Sequence, residues 1–233
     1  MCSCEEMNQT ASDSLKKACA RKALSCIDNH TIIGLGGGST IGYLIGFLRE
    51  KNLDVKIVTP SEKTKRQCLQ SGLEVLHTEA VSGVDVAFDG CDQVDEQLRA
   101  MKSGGGIHTK EKLIAQMAGD YILLVDTSKF VRRLTFNQPV VLEILEDAVS
   151  YVEKQAIALG GKPAMRTSGA KDGLTISDNG HPLMDVFFSE VEDIDTLQNR
   201  LKAVAGVIET SLFTREVTKA LVAGNHGMRW ITK

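Results

Sequence analysis

The chain has 233 residues, of which 42% are hydrophobic and only 5% aromatic. That length allows a large buried core, as one big domain or one with a smaller companion, and the aliphatic-rich balance argues against a disordered or fibrous chain. A net charge of −3, with Lys and Arg spread along the sequence, argues against a nucleic-acid-binding face or a polybasic membrane patch, so any anionic ligand must be held by a local site. The first residues, Met1-Cys2-Ser3-Cys4-Glu5-Glu6, lack the basic region and apolar core of a signal peptide, and no run approaches transmembrane length; a cytoplasmic protein is expected. In that compartment the six cysteines (Cys2, Cys4, Cys19, Cys26, Cys68, Cys91) read as free thiols. The Cys2/Cys4 pair has no second pair at zinc spacing, and no metal site is expected.

In chain order, helical periodicity from Ser14 to Ile27 is followed by a short apolar strand, Thr31 to Leu35, a glycine turn, and a helix to about Arg49. Val55 to Thr59 reads as a second strand, Ser61 as the cap of a helix ending near Ser71-Gly72, and Leu73 to His77 and Val84 to Asp89 as further strands. Thr109 is expected to cap a helix to about Ala118, before the strand Tyr121 to Asp126. This alternation predicts an α/β fold: a large doubly wound, mostly parallel, Rossmann-like sheet with helices on both faces. From residue 131 the order becomes strand, helix (Asp147 to Leu159), two strands around Asp178-Asn179-Gly180, helix (Asp193 to Val204) and strand (Gly206 to Phe213). That is the order of a small ferredoxin-like α+β domain, with Asn179-Gly180 as a hairpin signal. The segments Lys219 to Gly224 and Met228 to Thr232 read as two strands returning to the large domain. The expected division is therefore 1–130 plus 206–233 for the large domain and 131–205 for the small one.

Three clusters have chemical potential. Gly34-Leu-Gly-Gly-Gly-Ser-Thr40 lies between a strand and a helix, where glycine backbone, free amides and the helix dipole suit a phosphate. It fails as a dinucleotide fingerprint because Ser39 stands at the third glycine, and as a P-loop because no Gly-Lys-Ser/Thr follows. A tight turn with a capped helix explains it equally well. Asp89-Gly-Cys-Asp92-Gln-Val-Asp95 follows a strand directly, which places carboxylates beyond the carboxyl end of a sheet, where ligands bind. Crowded carboxylates raise one pKa and suit proton transfer, although turn-forming Asp residues or a hard-metal site also fit. In Lys102-Ser-Gly-Gly-Gly-Ile-His-Thr-Lys-Glu111, three glycines precede a helix and Lys102 can project a cation into the space they leave. Taken alone, Glu111 reads as complementing the helix dipole.

Together, in this order and spacing, the clusters resemble the type A ribose-5-phosphate isomerases over nearly the whole chain. That family shows a Gly-x-Gly-Thr/Ser-Gly-Ser-Thr loop, an Asp-Gly-Ala-Asp-Glu-Val-Asp segment and a Lys-Gly-Gly-Gly-Gly stretch leading to Thr-x-Glu-Lys. Leu15-Lys16-Lys17-Ala18, Asp126-Thr-Ser-Lys129 and Ser177-Asp-Asn-Gly180 support the match. The resemblance implies a cofactor-free aldose-ketose isomerase of the non-oxidative pentose phosphate pathway, acting through an enediolate and assembled as a homo-oligomer, dimer or tetramer. It implies Glu111 as the base between C1 and C2, Asp89 as an aid to ring opening, and Asp92 as a holder of sugar hydroxyls. Lys102 with the glycine amides would stabilise the oxyanion, and Ser39, Thr40, Lys129 and Lys16 would hold the phosphate. Gly37, Gly38, Gly90, Cys91, Ser103, Gly104 and Gly105 complete the expected substrate site.

The sequence departs from the family pattern at Gly37, Cys91, Gln93 and Ser103, reorders the family's Pro-Thr-Ser as Thr59-Pro60-Ser61, and matches Leu-Pro-Val-Glu only loosely at Gln138-Pro139-Val140-Val141. These changes fit a divergent member, and none removes a proposed catalytic group. A non-catalytic sugar-phosphate sensor of the same fold is the alternative, and an acyl-CoA transferase relative with a glutamate nucleophile is a third.

Overall fold

In the computed structural model the backbone is described for residues 4–233 and the side chains for residues 13–233 other than Lys171; the expectation for Cys2 and Cys4 lies outside the described side chains. The chain opens with helix α1 (Cys4–Ala23), which starts well before the expected Ser14 and gives way to a 3₁₀ turn, Leu24–Cys26. Next come β1 (Thr31–Leu35), α2 (Ser39–Lys51), β2 (Val55–Val58), α3 (Glu62–Gln70), β3 (Glu74–Val75) and β4 (Val84–Asp89). Short strands β5 (Gln93–Asp95) and β6 (Ala100–Met101) precede α4 (His108–Met117), β7 (Ala118–Asp126) and β8 (Phe130–Val131). The remainder runs β9 (Val140–Ile144), α5 (Val149–Ala158), β10 (Lys162–Met165), β11 (Thr167–Ser168), β12 (Lys171–Leu174) and β13 (Leu183–Phe187). It closes with α6 (Ile194–Lys202), β14 (Val207–Thr210), β15 (Leu212–Phe213), β16 (Lys219–Gly224) and β17 (Gly227–Thr232).

The large sheet has the order β17-β16-β7-β4-β1-β2-β3, parallel throughout except for the β16/β17 pair. Buried aliphatics cover both faces: Ile33 and Leu35 of β1 meet Leu44 and Leu48 of α2 on one side, while Leu123 and Val125 of β7 meet Ile114 and Ala115 of α4 on the other. Strands buried on both faces read as continuous apolar runs, which is why they were legible. The strand order reverses between β1 and β4, so a crevice opens at their carboxyl ends.

The second sheet, β10-β13-β9-β14, has α5 and α6 packed on it over a third core that includes Leu142, Val186 and Leu197. Its strands run β9, α5, β10, β13, α6, β14, the expected ferredoxin-like sequence, and β14 carries the sheet to Thr210, past residue 205. The expected hairpin differs in detail. Ser177–His181 does form a tight turn, with Gly180 at φ 86°, but β12 pairs with β11 as a separate ribbon and leaves β10 to flank β13. A third sheet, β15-β6-β5-β8, was not expected, because strands of two or three residues have no readable period. It bridges the cores: Val94 and Ala100 pack with the large sheet, Met101 and Leu212 with the small one.

Two local expectations also change. Only Glu74 and Val75 of the expected strand Leu73 to His77 pair with β2, as an edge. Thr109 is not the cap of α4; Ile107 is, and the Thr109 hydroxyl instead donates to the buried carboxylate of Glu143 on β9. Ser61 does cap α3, accepting the Thr64 amide at 3.2 Å.

Candidate active site

At the reversal point lies a cavity of about 490 Å³. It is bounded by α1, the β1–α2 loop, the ends of β4 and β7, and the loop between β6 and α4. Every expected site residue lines it except Ser103, whose hydroxyl turns away to the Pro139 carbonyl at 2.5 Å while its amide donates to Asp92 Oδ2 at 2.6 Å. Ser103 therefore serves the site through its backbone.

The first cluster forms the mouth of α2. The Gly36 amide donates to the Phe88 carbonyl at 2.8 Å, and a Cβ on Gly36 would stand 1.9 Å from Asp89 Oδ1, so only glycine lets the loop close on that carboxylate. Gly38 holds φ 101°, a left-handed value that turns the chain into α2. Ser39 and Thr40 then occupy the first helical turn, where amides lack intrahelical acceptors and face an anion favourably. The Thr64 hydroxyl, donating to the Gly36 carbonyl at 2.7 Å, pins the loop to α3.

At the floor lie three buried titratable groups, Asp89, Lys102 and Glu111, each no more than 5% exposed. Lys102 Nζ stands 3.0 Å from Asp89 Oδ2 and 3.3 Å from Glu111 Oε1, and also donates to the Gly90 carbonyl. Burial disfavours its charge, yet Asp89 and Glu111 outweigh that and hold the ammonium above its ordinary pKa. For Glu111 burial dominates: it pushes the carboxyl up to about 8, with Lys102 opposing and Asp89 reinforcing. Glu111 Oε2 has no hydrogen-bond partner among the described residues. Glu111 lines the cavity, and a carboxylate with one oxygen on a cation and the other buried and unpartnered keeps an acceptor position open for a proton.

Around them, Asp92 Oδ2 accepts the amides of Ser103 and, at 3.2 Å, Gly104, which ties the acidic segment to the glycine stretch. Lys129 Nζ donates to the Cys91 carbonyl at 2.9 Å. Lys16, on the stretch of α1 that lines the cavity, pairs with Asp13 at 3.6 Å. Burial pushes the Cys91 thiol up to about 12 despite Lys102 and Lys129, which leaves it an inert wall. The departure at Gln93 lies outside the cavity, where its amide pairs with Thr135. His108, three residues before Glu111, does not line the cavity; its Nε2 lies 3.3 Å from the Glu209 carbonyl.

Several wall residues carried no signal in the sequence, among them Leu124, Val125 and Ala223. Tyr121 lies behind the wall, its phenol donating to Asp89 Oδ2 at 2.9 Å; one hydroxyl in an apolar run reads as core until the fold brings a carboxylate to it.

Comparison with known proteins gives one consistent set of relatives. The family model described as ribose 5-phosphate isomerase A (phosphoriboisomerase A) matches residues 56–227. Ribose-5-phosphate isomerase A of Pyrococcus furiosus is 34% identical, covering 93% of this chain and 97% of its own, and that of Methanocaldococcus jannaschii is 33% identical, covering 96% and 100%. The solved structure of the M. jannaschii isomerase superposes with a TM-score of 0.88, covering 94% of this chain and 99% of its own. A D-ribose-5-phosphate isomerase in complex with phospho-erythronic acid, 32% identical, superposes with a TM-score of 0.89, covering 94% and 98%.

Proposed function

The chain belongs to the ribose 5-phosphate isomerase A family, and we infer that it interconverts D-ribose 5-phosphate and D-ribulose 5-phosphate in the cavity at the β1/β4 reversal, with Glu111 as the base. The observation that carries this assignment is the floor of the cavity. The Glu111 carboxylate lines the cavity with one oxygen left without a donor, which supports it as the group that carries the proton between C1 and C2. Lys102 lies within reach of both carboxylates and supplies positive charge where the enediolate oxygen develops. Asp89 assists ring opening, the proton lost by the anomeric hydroxyl being matched by one gained at the ring oxygen as its bond to C1 breaks, and Asp92 orients the sugar hydroxyls. The α2 amides with Ser39 and Thr40 receive the phosphate together with Lys129 and Lys16; the exposed Gly104 and Gly105 leave room for the chain of the open sugar. Losing the base alone removes about 10² to 10⁴ in rate.

The sensor alternative draws no support from the relatives described above, each of which is named as an isomerase. Among the described residues no helix is long and apolar enough to cross a membrane, and we extend the assignment to a homo-oligomeric enzyme of the cytoplasm that binds no nucleic acid. The test is conversion of ribose 5-phosphate by the purified chain with EDTA present, alongside Glu111→Gln. Wild-type turnover with a loss of at least a hundredfold in Glu111→Gln is expected; a variant keeping a tenth of the rate removes Glu111 from the role of base.

A further inference from the structure

Asp89 is held by more groups than the reaction needs. Its Oδ1 accepts the amides of Gly90 at 2.8 Å and Gly37 at 3.3 Å, and its Oδ2 accepts both Lys102 and the phenol of Tyr121. Tyr121 sits on β7 in register with Ala87 of β4, is 1% exposed, and stacks on Phe213 with ring centroids 6.1 Å apart. It does not line the cavity. A phenylalanine would pack there equally well, whereas a buried hydroxyl costs free energy unless it is paired. The hydroxyl is therefore explained by Asp89, not by the core.

We propose that Tyr121 is a positioning residue for the isomerisation, its hydroxyl holding Asp89 as an oriented carboxylate and leaving Lys102 shared between Asp89 and Glu111. This rests on the roles assigned above to Asp89 and Glu111. Without the phenol, Asp89 Oδ2 keeps Lys102 as its partner and draws it in. Glu111 Oε1 then loses part of its cation, and its carboxylate becomes harder to ionise. The titratable groups facing this cluster are Asp89 at the end of β4, Cys91 after it, Lys102 after β6, Glu111 on α4 and Tyr121 itself on β7, with Asp92, Asp126 and Lys129 further out along the cavity. Among them Lys102 is the one cation in contact with both carboxylates.

Tyr121→Phe keeps the ring and its stacking and removes the oxygen. With ribose 5-phosphate as substrate, kcat is expected to fall about tenfold, the weight of one charge-assisted hydrogen bond, with KM within about twofold of wild type. The acidic limb of kcat/KM against pH moves upward, and the melting temperature stays near that of wild type. In an Asp89→Asn background the same substitution adds no further loss, because the hydroxyl acts through that carboxylate. Wild-type kcat with an unmoved limb overturns the proposal, as does a full additional loss on top of Asp89→Asn. The assignment of Glu111 is read separately from Glu111→Gln, so failure of the base reading and failure of the Tyr121 reading are distinct results.

Discussion

Glu111 shows how far burial can move a side chain from what its sequence position implies. In the first turn of α4 a carboxylate is ordinarily stabilised as the anion by the helix dipole. Here desolvation outweighs that effect and Lys102, and pushes the group up to about 8. A base acts only when ionised, so kcat/KM for ribose 5-phosphate is expected to rise about tenfold per pH unit below 8 and to level off above it. The same shift has a sign for stability. The folded state binds this proton more tightly than the unfolded chain, so its contribution is complete below the unfolded value of 4.5 and is lost as pH rises through about 8. The melting temperature should therefore drop across that window in the wild type and drop less in Glu111→Gln, whose side chain stays neutral. A pH–rate profile that is flat from acid to alkaline pH would sink the assignment of Glu111 as the titrating base.

At the scale of the element, α4 does two jobs with consecutive residues. Successive side chains on a helix point about 100° apart, so while Glu111 faces the cavity, Lys112 faces the crossover from β14 to β15. Its Nζ meets Glu209 Oε1 at 2.9 Å, the Thr210 carbonyl at 2.7 Å and the Leu212 carbonyl at 3.0 Å, and lies 4.9 Å from the centre of the Phe213 ring. The same crossover accepts the Lys102 amide at Ser211 O, 3.0 Å away, so the helix bearing Glu111 and the segment bearing Lys102 share one anchor. Lys112 is 2% exposed; without it Glu209 keeps Lys202 at 3.0 Å and the Thr210 amide at 2.9 Å, so the loss falls on the buried Thr210 and Leu212 carbonyls and costs about 1 to 3 kcal/mol. For a chain of this size Lys112→Met is expected to melt about 2 to 12 °C lower, with activity lost in parallel as the Glu111–Lys102 spacing relaxes. A thermal melt indistinguishable from wild type would show that the crossover is held without it. Sequence periodicity places α4 correctly but says nothing of this anchor, since Glu209 and Lys112 are far apart in the chain.

Across the whole molecule, what could be read in the sequence was whatever rested on one strand and the turn after it. Gly34–Thr40 and Asp89–Asp95 begin at the ends of β1 and β4, so topology puts them at the carboxyl ends of the parallel sheet; Lys102–Glu111 follows β6 of the third sheet, and only the resemblance to the isomerase family put it beside them. What depended on contacts between distant segments, such as the third sheet, the phenol of Tyr121 and the turn of the Ser103 hydroxyl to Pro139, had no local pattern to show it. Charge belongs to the same scale. With a net charge of −3 the molecule as a whole does not attract a sugar phosphate, so affinity must come from the cations and amides placed at this one mouth. Lys129 tests that inference because it has a second possible role: its ammonium also steadies the loop after β4 through the Cys91 carbonyl. If it holds the phosphate, Lys129→Ala raises KM for ribose 5-phosphate about tenfold to a hundredfold, as expected for a hydrogen bond to a charged group, while the slow turnover of unphosphorylated ribose is unchanged. If ribose and ribose 5-phosphate lose kcat/KM by the same factor, Lys129 is acting on the loop and the phosphate must be held by α2 and Lys16 without it.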